Sequence, residues 1–331
     1  MVKRIECKTD TAVYQFDPLT GFGGRPDIEG DVAFEGPSGP KVKVRLNAYG
    51  DRDEPFEAMP GVKNILCYGG SITWGAYIEQ DRRYTDVLNR RVKDCRFINL
   101  GNGSFGLDQV CLSILERSGR YSPSMFVIEQ FPWALHRVLN PCVYGYIKPA
   151  FFIDNKGCLQ LRKVPPLARY KAYRKIEEGY RLYKKELMEF KGGVDIKAHY
   201  DPLADPIFLA WKTTYYDYMY LLIEKILGVI QDHCAQKKCR LLFMIIPYTQ
   251  QFGFVSGSSL VDYELPAKRF KALLEKLRID YIDAAPPMVK AHSPADPVIK
   301  PDGHANDRGH VLLADILQGS LVERGVMRRA A

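Results

Sequence analysis

The fold is decided by residues 62–75, which read VKNILCYGGSITWG. Val62–Tyr68 is a short apolar run, and Gly69 and Gly70 separate it from an amphipathic segment. Such a run is typical of a strand that is buried on both faces, as in a parallel sheet covered by helices. Two glycines permit a tight turn between strand and helix. We therefore expect Ser71 at the carboxyl end of a strand, where open α/β sheets bind ligands.

Four more apolar runs repeat this strand pattern along the chain. They are Arg96–Leu100, Met125–Gln130, Arg240–Ile246 and Ile279–Asp283. Segments with helical spacing lie between or after them, at Tyr84–Val92, Asp108–Ser118, Phe208–Ile230, Pro266–Leu277 and Val311–Leu321. The alternation predicts a three-layer α/β/α sandwich around a five-stranded, mainly parallel sheet.

Two regions depart from this alternation. Residues 1–60 are rich in Gly and Pro and include one alternating strand, Val42–Leu46, so they are expected to form an N-terminal extension packed on the core at 61–331. An insertion at about 135–205 contains a hairpin candidate, Phe151–Leu161, which turns at residues 155–157. It then becomes basic and tyrosine-rich, with ring positions at helical spacing. This part is expected to be a helix that packs its tyrosines on the core, or alternatively a lid or a surface for an anionic substrate.

Composition excludes several classes of protein. With 331 residues and 46% hydrophobic content, the chain can bury a full core. It has neither an apolar leader nor a run long enough to span a membrane, so we expect a cytoplasmic protein. Its 8 cysteines are scattered, and His233, Cys234 and Cys239 lack a second ligand pair, so no metal and no other cofactor is predicted. The net charge of +8 is compatible with an anionic substrate, whereas no nucleic-acid partner is expected.

The chemistry depends first on Ser71. At a strand-to-helix turn its hydroxyl can act as a nucleophile, and backbone N–H groups at the helix N-terminus can stabilise an oxyanion. An isolated Gly-Gly-Ser is better explained by a serine that caps the helix.

The partners that would activate Ser71 stand near the other end of the chain. Residues 301–310 read PDGHANDRGH. A serine hydroxyl needs an imidazole to take its proton, and a carboxylate can orient that imidazole and stabilise its charged form. His304 and Asp302 supply these two groups. Loop hydrogen bonding and helix capping are the alternative roles for this segment.

These blocks resemble the SGNH, or GDSL-like, hydrolases, including bacterial relatives associated with extracellular polysaccharide. The sequence GGSITWG at 69–75 is similar to the first block of that family, with Gly70 in place of the usual Asp. The sequence DGHAN at 302–306 is similar to the last block, in a form shared with polysaccharide O-acetyltransferases. The resemblance implies a flavodoxin-like fold and a catalytic triad of Ser71, Asp302 and His304.

The same resemblance implies an oxyanion hole. Residues 99–109, NLGNGSFGLDQ, are similar to the second block, in which backbone N–H groups at Gly103 and Ser104 would act together with that of Ser71. Ser104 stands where the family has glycine. The third block usually supplies an Asn side chain, but residues 129–137 read EQFPWALHR. Gln130 or Trp133 is the expected substitute, and the alternative is that this chain lacks the third donor.

The sequence thus predicts a serine esterase that acts on a carbohydrate or small-molecule ester through an acyl-serine intermediate. An O-acyltransferase that uses a glycan or metabolite hydroxyl is the first alternative. A weakly catalytic binding protein on the same fold is the second. The oligomeric state is not predicted.

Overall fold

The structure is a computed structural model that describes residues 3–7, 10–34, 40–140, 142–143, 146–170, 214–252 and 262–328. The strands are β1 Lys3–Cys7, β2 Tyr14–Asp17, β3 Gly21–Gly24, β4 Ile28–Ala33, β5 Lys41–Leu46, β6 Lys63–Gly69, β7 Cys95–Gly101, β8 Pro123–Gln130, β9 Cys142–Val143, β10 Tyr146–Ile147, β11 Ala150–Ile153, β12 Leu159–Arg162, β13 Arg240–Ile245 and β14 Asp280–Asp283. The α-helices are α1 Ser71–Trp74, α2 Tyr84–Arg91, α3 Leu107–Arg117, α4 Thr214–Lys237, α5 Leu265–Lys276, α6 Ala285–Ala291 and α7 Asp307–Glu323. Short 3₁₀ helices cover Asp10–Val13, Gln80–Arg82, Ser118–Tyr121, Pro132–Leu139, Pro166–Arg169 and Thr249–Phe252.

A five-stranded sheet with the order β14-β13-β8-β6-β7 forms the centre of the molecule. All of its neighbouring strands pair in parallel. Counted along the chain, the order is 5-4-3-1-2, which is the flavodoxin-like arrangement. The predicted fold class is confirmed, and the sheet is wholly rather than mainly parallel. Each predicted core strand is found, with bounds that differ by no more than a few residues.

Alternate residues of the strands face two separate cores. On β6, Ile65 and Cys67 face the core formed with α2, α6 and α7, whereas Leu66 and Tyr68 face the core formed with α3, α4 and α5. The side-chain period of 2 in a strand explains this division. Because helices cover both faces, the strands can be apolar throughout, as the sequence indicated.

The helices agree with the sequence pattern, with two differences. The amphipathic run after residue 207 is helical from Thr214 and continues to Lys237, seven residues beyond the predicted end, while residues 208–213 lie outside the described ranges. The final helix begins at Asp307, where the Asn306 side chain caps it by accepting from the Gly309 N–H at 2.9 Å. An Asn at the N-cap starts a helix before its first apolar residue, so the apolar pattern underestimated its length.

The N-terminal extension contributes a small sheet of β1, β4 and β5 and a β2–β3 hairpin. Val13, Phe22, Val32 and Val44 are buried in the same core as α3 and α4. The strand predicted at Val42–Leu46 is β5, which starts one residue earlier.

The insertion contains the predicted hairpin, formed by β11 and β12 in antiparallel register. Its turn includes Gly157, whose φ of +77° suits glycine. A buried ion pair also ties the insertion to the core: Lys148 Nζ lies 2.6 Å from Asp108 Oδ2, and both side chains are fully buried. Of the four spaced tyrosines, only Tyr170 is described and it is half exposed, whereas residues 171–213 lie outside the described part of the chain. Among the helices described, none is both long and apolar enough to cross a membrane.

Candidate active site

Ser71 lies at the carboxyl edge of the sheet, at the start of α1 and two residues after β6 ends. This position is a topological switch point, because β7 and β8 lie on opposite sides of β6. The turn is tight: the Asn102 N–H donates to the Gly69 carbonyl at 3.0 Å, which links the ends of β6 and β7. Ser71 itself is half-buried.

A carboxylate from the neighbouring strand holds this turn. Glu129 Oε2, near the end of β8, accepts from the N–H groups of Gly70 at 2.9 Å and Thr73 at 3.3 Å, and from the Thr73 hydroxyl at 3.2 Å. Burial raises the pKa of Glu129, and these donors oppose the rise. A Cβ at position 69 would lie 2.4 Å from Glu129 Oε2, so glycine is required there. Glu129 thus caps α1 from another strand, in place of a cap from its own turn.

The structure brings together Ser71, His304 and Asp302. His304 Nε2 lies 2.8 Å from Ser71 Oγ, and His304 Nδ1 lies 3.1 Å from Asp302 Oδ2. The second contact has ion-pair distance but is not a well-aligned hydrogen bond, because the ring N–H is not directed at the oxygen. Asp302 Oδ1 also accepts from the His304 backbone N–H at 3.1 Å. When a carboxylate, an imidazole and a hydroxyl lie in this spatial order, the imidazole can take the proton of the serine hydroxyl.

The electrostatics of Asp302 suit this arrangement. Burial opposes its ionisation, but the nearby His304 ring, the His304 backbone N–H and the Tyr77 hydroxyl outweigh burial and hold the pKa of Asp302 well below its usual range. Asp302 is therefore ionised at neutral pH and can stabilise an imidazolium.

Tyr77 was not predicted from the sequence, yet it contacts both of the residues beside Ser71. Its hydroxyl donates to Asp302, and its ring lies 5.1 Å from that of His304. Lys300 Nζ lies 3.6 Å from the centre of the same ring. Tyr77 has a φ of +68°, which is rare for an aromatic residue and is retained only where surrounding contacts enforce it.

The N-terminal extension supplies those contacts. The buried Arg52 guanidinium donates to the carbonyls of Trp74 at 3.2 Å and Ile78 at 2.8 Å, on either side of Tyr77, and also to that of Gly75. The Phe34 ring packs 4.7 Å from the Tyr77 ring. The loop after α1 is therefore held by residues that precede the sheet in the chain.

The second block forms the loop after β7. Ser104 has a φ of +59°, so it adopts the left-handed conformation that the glycine of the family pattern would favour. The Gly103 N–H donates to the Tyr14 hydroxyl at 3.0 Å. Asn99 is buried, and its side chain donates to the Thr73 carbonyl at 2.6 Å, which ties β7 to the nucleophile turn.

The two predicted side-chain donors differ in position. Gln130 lines the cavity beside Ser71, but its amide donates to the adjacent Phe131 carbonyl at 2.8 Å. Trp133 does not line that cavity; its ring packs against Phe131 at 6.0 Å and His136 at 4.7 Å.

The cavity beside Ser71 encloses about 30 Å³. Its walls are the nucleophile turn, the start of α3, the end of β8 and the 3₁₀ helix Pro132–Leu139. One charged side chain that the sequence analysis did not select, Arg137, also lines it. Its Nη1 donates to the Phe105 carbonyl at 3.3 Å.

His310, near the start of α7, is fully buried behind the site. Its Nδ1 accepts from the Tyr84 N–H at 3.2 Å, and its ring stacks on that of Tyr84. Burial, followed by the positive charges of Arg83 and Arg52, lowers the pKa of His310 to about 3. This histidine is neutral and structural.

Within the described ranges, no group of three or more His, Cys, Asp or Glu side chains is arranged to hold a metal ion. Cys234 is buried and Cys239 is partly buried, and both are free thiols.

Comparisons by sequence find neither a matching protein-family model nor a matching curated protein. Comparison by structure finds solved proteins that share the fold. One is a member of the lipolytic G-D-S-L family from Veillonella parvula, 14% identical, which covers 78% of this chain and 97% of its own, with a TM-score of 0.44. Another is the acetyl xylan esterase AlAXEase, 12% identical, with coverages of 78% and 99% and a TM-score of 0.45. A third is a GDSL-like lipase from Bacteroides thetaiotaomicron, 13% identical, with coverages of 82% and 93% and a TM-score of 0.41.

Proposed function

We propose that the chain is a serine esterase of the SGNH type, with Ser71 as nucleophile and His304 as general base. Asp302 orients the His304 ring and stabilises its protonated form. The observation that carries this proposal is the 2.8 Å contact between His304 Nε2 and Ser71 Oγ, with the ionised Asp302 behind the ring. A helix cap would not need a histidine at this distance, so the contact favours the nucleophile over the capping role.

The reaction proceeds in two steps. Ser71 Oγ forms a bond to the ester carbonyl carbon while its proton passes to His304 Nε2, and the carbonyl oxygen becomes an oxyanion. The bond to the alcohol oxygen then breaks as His304 returns the proton to that oxygen, which leaves an acyl-serine. Water then attacks the acyl carbon while its proton passes to His304 Nε2. The bond from that carbon to Ser71 Oγ breaks as His304 returns the proton to Oγ, and the acid leaves.

The substrates we propose are short esters of a carbohydrate or a small molecule. The cavity of about 30 Å³ beside Ser71 has room for about two waters, so it suits the reacting carbonyl and a small acyl group better than a long chain.

The experiment compares the native protein with Ser71→Ala on p-nitrophenyl acetate, together with labelling by a fluorophosphonate. The expected result is labelling of Ser71 alone and a loss of turnover of at least about 10⁴-fold in the variant. Equal rates for the two proteins would contradict the serine mechanism and favour a binding role.

Product analysis separates hydrolysis from transfer. With an acetyl donor and a glycan acceptor present, we expect free acetate as the main product. Quantitative appearance of acetylated glycan would assign the chain to the O-acyltransferases instead.

A further inference from the structure

The proposed reaction places a negative charge on the former carbonyl oxygen, and that oxygen needs hydrogen-bond donors. Removing one such donor from an oxyanion hole typically costs 10²–10³ in turnover, so a missing donor would leave a poor enzyme. The chain must therefore place enough donors around the cavity beside Ser71.

The donors expected from the sequence do not fully meet this need. The Gln130 amide donates to the Phe131 carbonyl, and Trp133 lies outside the cavity lining. The Gly103 N–H donates to the Tyr14 hydroxyl.

Arg137 brings a further donor to this cavity. It lines the cavity between the nucleophile turn and the loop after β7. Its Nη1 lies 3.6 Å from the point where a Cβ on Gly70 would stand, immediately before the nucleophile. A guanidinium presents several N–H donors in a planar fork, and its charge is permanent.

The side chain and backbone of Arg137 are fixed in place. Its carbonyl accepts from the buried Lys148 ammonium at 2.6 Å, and Nη1 donates to the Phe105 carbonyl at 3.3 Å. Its Cβ packs against Gly106, where an added Cβ would come within 3.0 Å. A donor that is fixed before the reaction stabilises the developing charge without reorganisation cost.

The charge balance is also suitable. The buried Glu129 lines the same cavity; burial raises its pKa, and the hydrogen bonds from Gly70 and Thr73, followed by the charge of Arg137, oppose that rise. Glu129 Oε2 accepts hydrogen bonds from the N–H groups of Gly70 and Thr73, so the negative charge of Glu129 faces the nucleophile turn. Moreover, about 30 Å³ is enough for one oxyanion but small for a separate anionic substituent.

We infer that Arg137 is a catalytic residue that donates to the oxyanion of the tetrahedral intermediate, in the role that the sequence analysis gave to Gln130 or Trp133. This inference rests on the proposed serine mechanism. An alternative role for the same guanidinium is to bind a carboxylate of an anionic substrate, and the two roles differ in how they depend on substrate charge.

The test measures kcat and KM of Arg137→Met with p-nitrophenyl acetate, which is neutral, and with the p-nitrophenyl hemisuccinate, which carries a carboxylate. Methionine keeps an unbranched apolar stem but has no N–H donor. The expected result is a fall in kcat of about 10²-fold on both esters, with KM changed only a few-fold. Phenylboronic acid adds to Ser Oγ to give a tetrahedral boronate anion, and its affinity is expected to fall by a similar factor.

The matched control is Arg240→Ala. Arg240 starts β13, so it lies at the opposite edge of the sheet, and its side chain is exposed. Removing this charge is expected to leave kcat, KM and boronate affinity within twofold of the native values. If Arg137→Met does not fold, Arg137→Lys is used for the test. Lysine keeps the aliphatic part of the side chain and the positive charge but lacks the planar guanidinium with its several N–H donors. The expected result is a fall in kcat of about 10-fold on both esters.

Three outcomes overturn the inference. These are native kcat in Arg137→Met, a loss confined to the hemisuccinate and expressed in KM, and a loss of activity without any loss of boronate affinity. None of them bears on Ser71: if Ser71→Ala is inactive while Arg137→Met is unaffected, the serine mechanism stands and only the role of Arg137 fails. If Ser71→Ala is as active as the native protein, both fail.

Discussion

His304 Nε2 lies 2.8 Å from Ser71 Oγ across 233 positions of the chain. The parallel sheet accounts for this proximity. Ser71 follows β6, which lies between β8 and β7 in the sheet, while His304 lies on the loop that precedes α7. α7 packs beside α2 on one face of this sheet. Both loops therefore open at the carboxyl edge of the sheet.

Asp302→Asn is expected to reduce kcat by about 10³–10⁴-fold, because an amide cannot stabilise the imidazolium and favours the wrong tautomer of His304. KM on p-nitrophenyl acetate is expected to change little. Steady-state kinetics and a thermal melt check this, since the fold should be retained. A variant with more than about a tenth of native kcat would contradict the role of Asp302.

Tyr77→Phe is expected to lower kcat by about 10-fold or more, the equivalent of one lost hydrogen bond to a charged group. The Asp302 carboxylate would lose a donor and attract the imidazolium more strongly, so the acid limb of the kcat/KM profile should move to higher pH. The measurement is the pH profile of both proteins.

The control for that experiment is Tyr281→Phe. Tyr281 donates to Glu275 at 2.7 Å at the surface, so its change removes the same kind of hydrogen bond far from Ser71. Its pH profile should match the native one. An unshifted profile in Tyr77→Phe would show that the tyrosine only fills space.

Glu129→Leu is expected to destabilise the protein by about 2–4 kcal/mol, because the N–H groups of Gly70 and Thr73 and the Thr73 hydroxyl would be left without their acceptor. The rate of phosphonylation of Ser71 should fall with it, since the turn loses its cap. Glu129→Gln keeps one acceptor oxygen and should recover most of both losses. Denaturant midpoints and labelling rates check this, and a Leu variant as stable as the Gln variant would refute it.

Acid is expected to destabilise the fold through His310. Its pKa is about 3 in the folded protein, against about 6.5 in the unfolded chain. The unfolded state therefore binds the proton first, so stability is full above about pH 6.5 and falls by up to about 1.4 kcal/mol per unit as pH drops toward 3. The difference in unfolding free energy between the native protein and His310→Gln isolates this histidine from other titrating groups. A difference that stays constant from pH 7 to 4 would exclude the effect.

The sequence predicted much of the fold because burial on both faces leaves continuous apolar runs such as Val62–Tyr68 and Arg240–Ile246. It also selected Ser71, Asp302 and His304, because hydroxyl, imidazole and carboxylate stood in short glycine-containing segments. These are the features that local pattern can carry.

The supporting residues could not be found in that way. The positive φ of Tyr77 depends on contacts with Arg52 and Phe34, which are distant in sequence. An aromatic residue, unlike glycine, does not indicate a positive φ from the sequence alone. Glu129 did leave a signal, since a carboxylate in a buried strand is costly unless it has partners, but its partners lie about 60 residues earlier. In the sequence, Arg137 is only one residue of the stretch around Trp133. The structure distinguishes them, because Arg137 lines the cavity beside Ser71 and Trp133 does not.

The cap that Glu129 supplies restricts how this chain can change during evolution. An Asp at position 70, the residue usual in the resembling family, would place a second carboxylate between Glu129 and Arg137, since the Cβ position of Gly70 is 4.0 Å from Glu129 Oε2 and 3.6 Å from Arg137 Nη1. Like charges at such a distance cannot both ionise without cost. An added carboxylate would also compete with Glu129 for the charge of Arg137 and for the donors of the turn. Gly69, Gly70 and Glu129 should therefore be inherited as a unit.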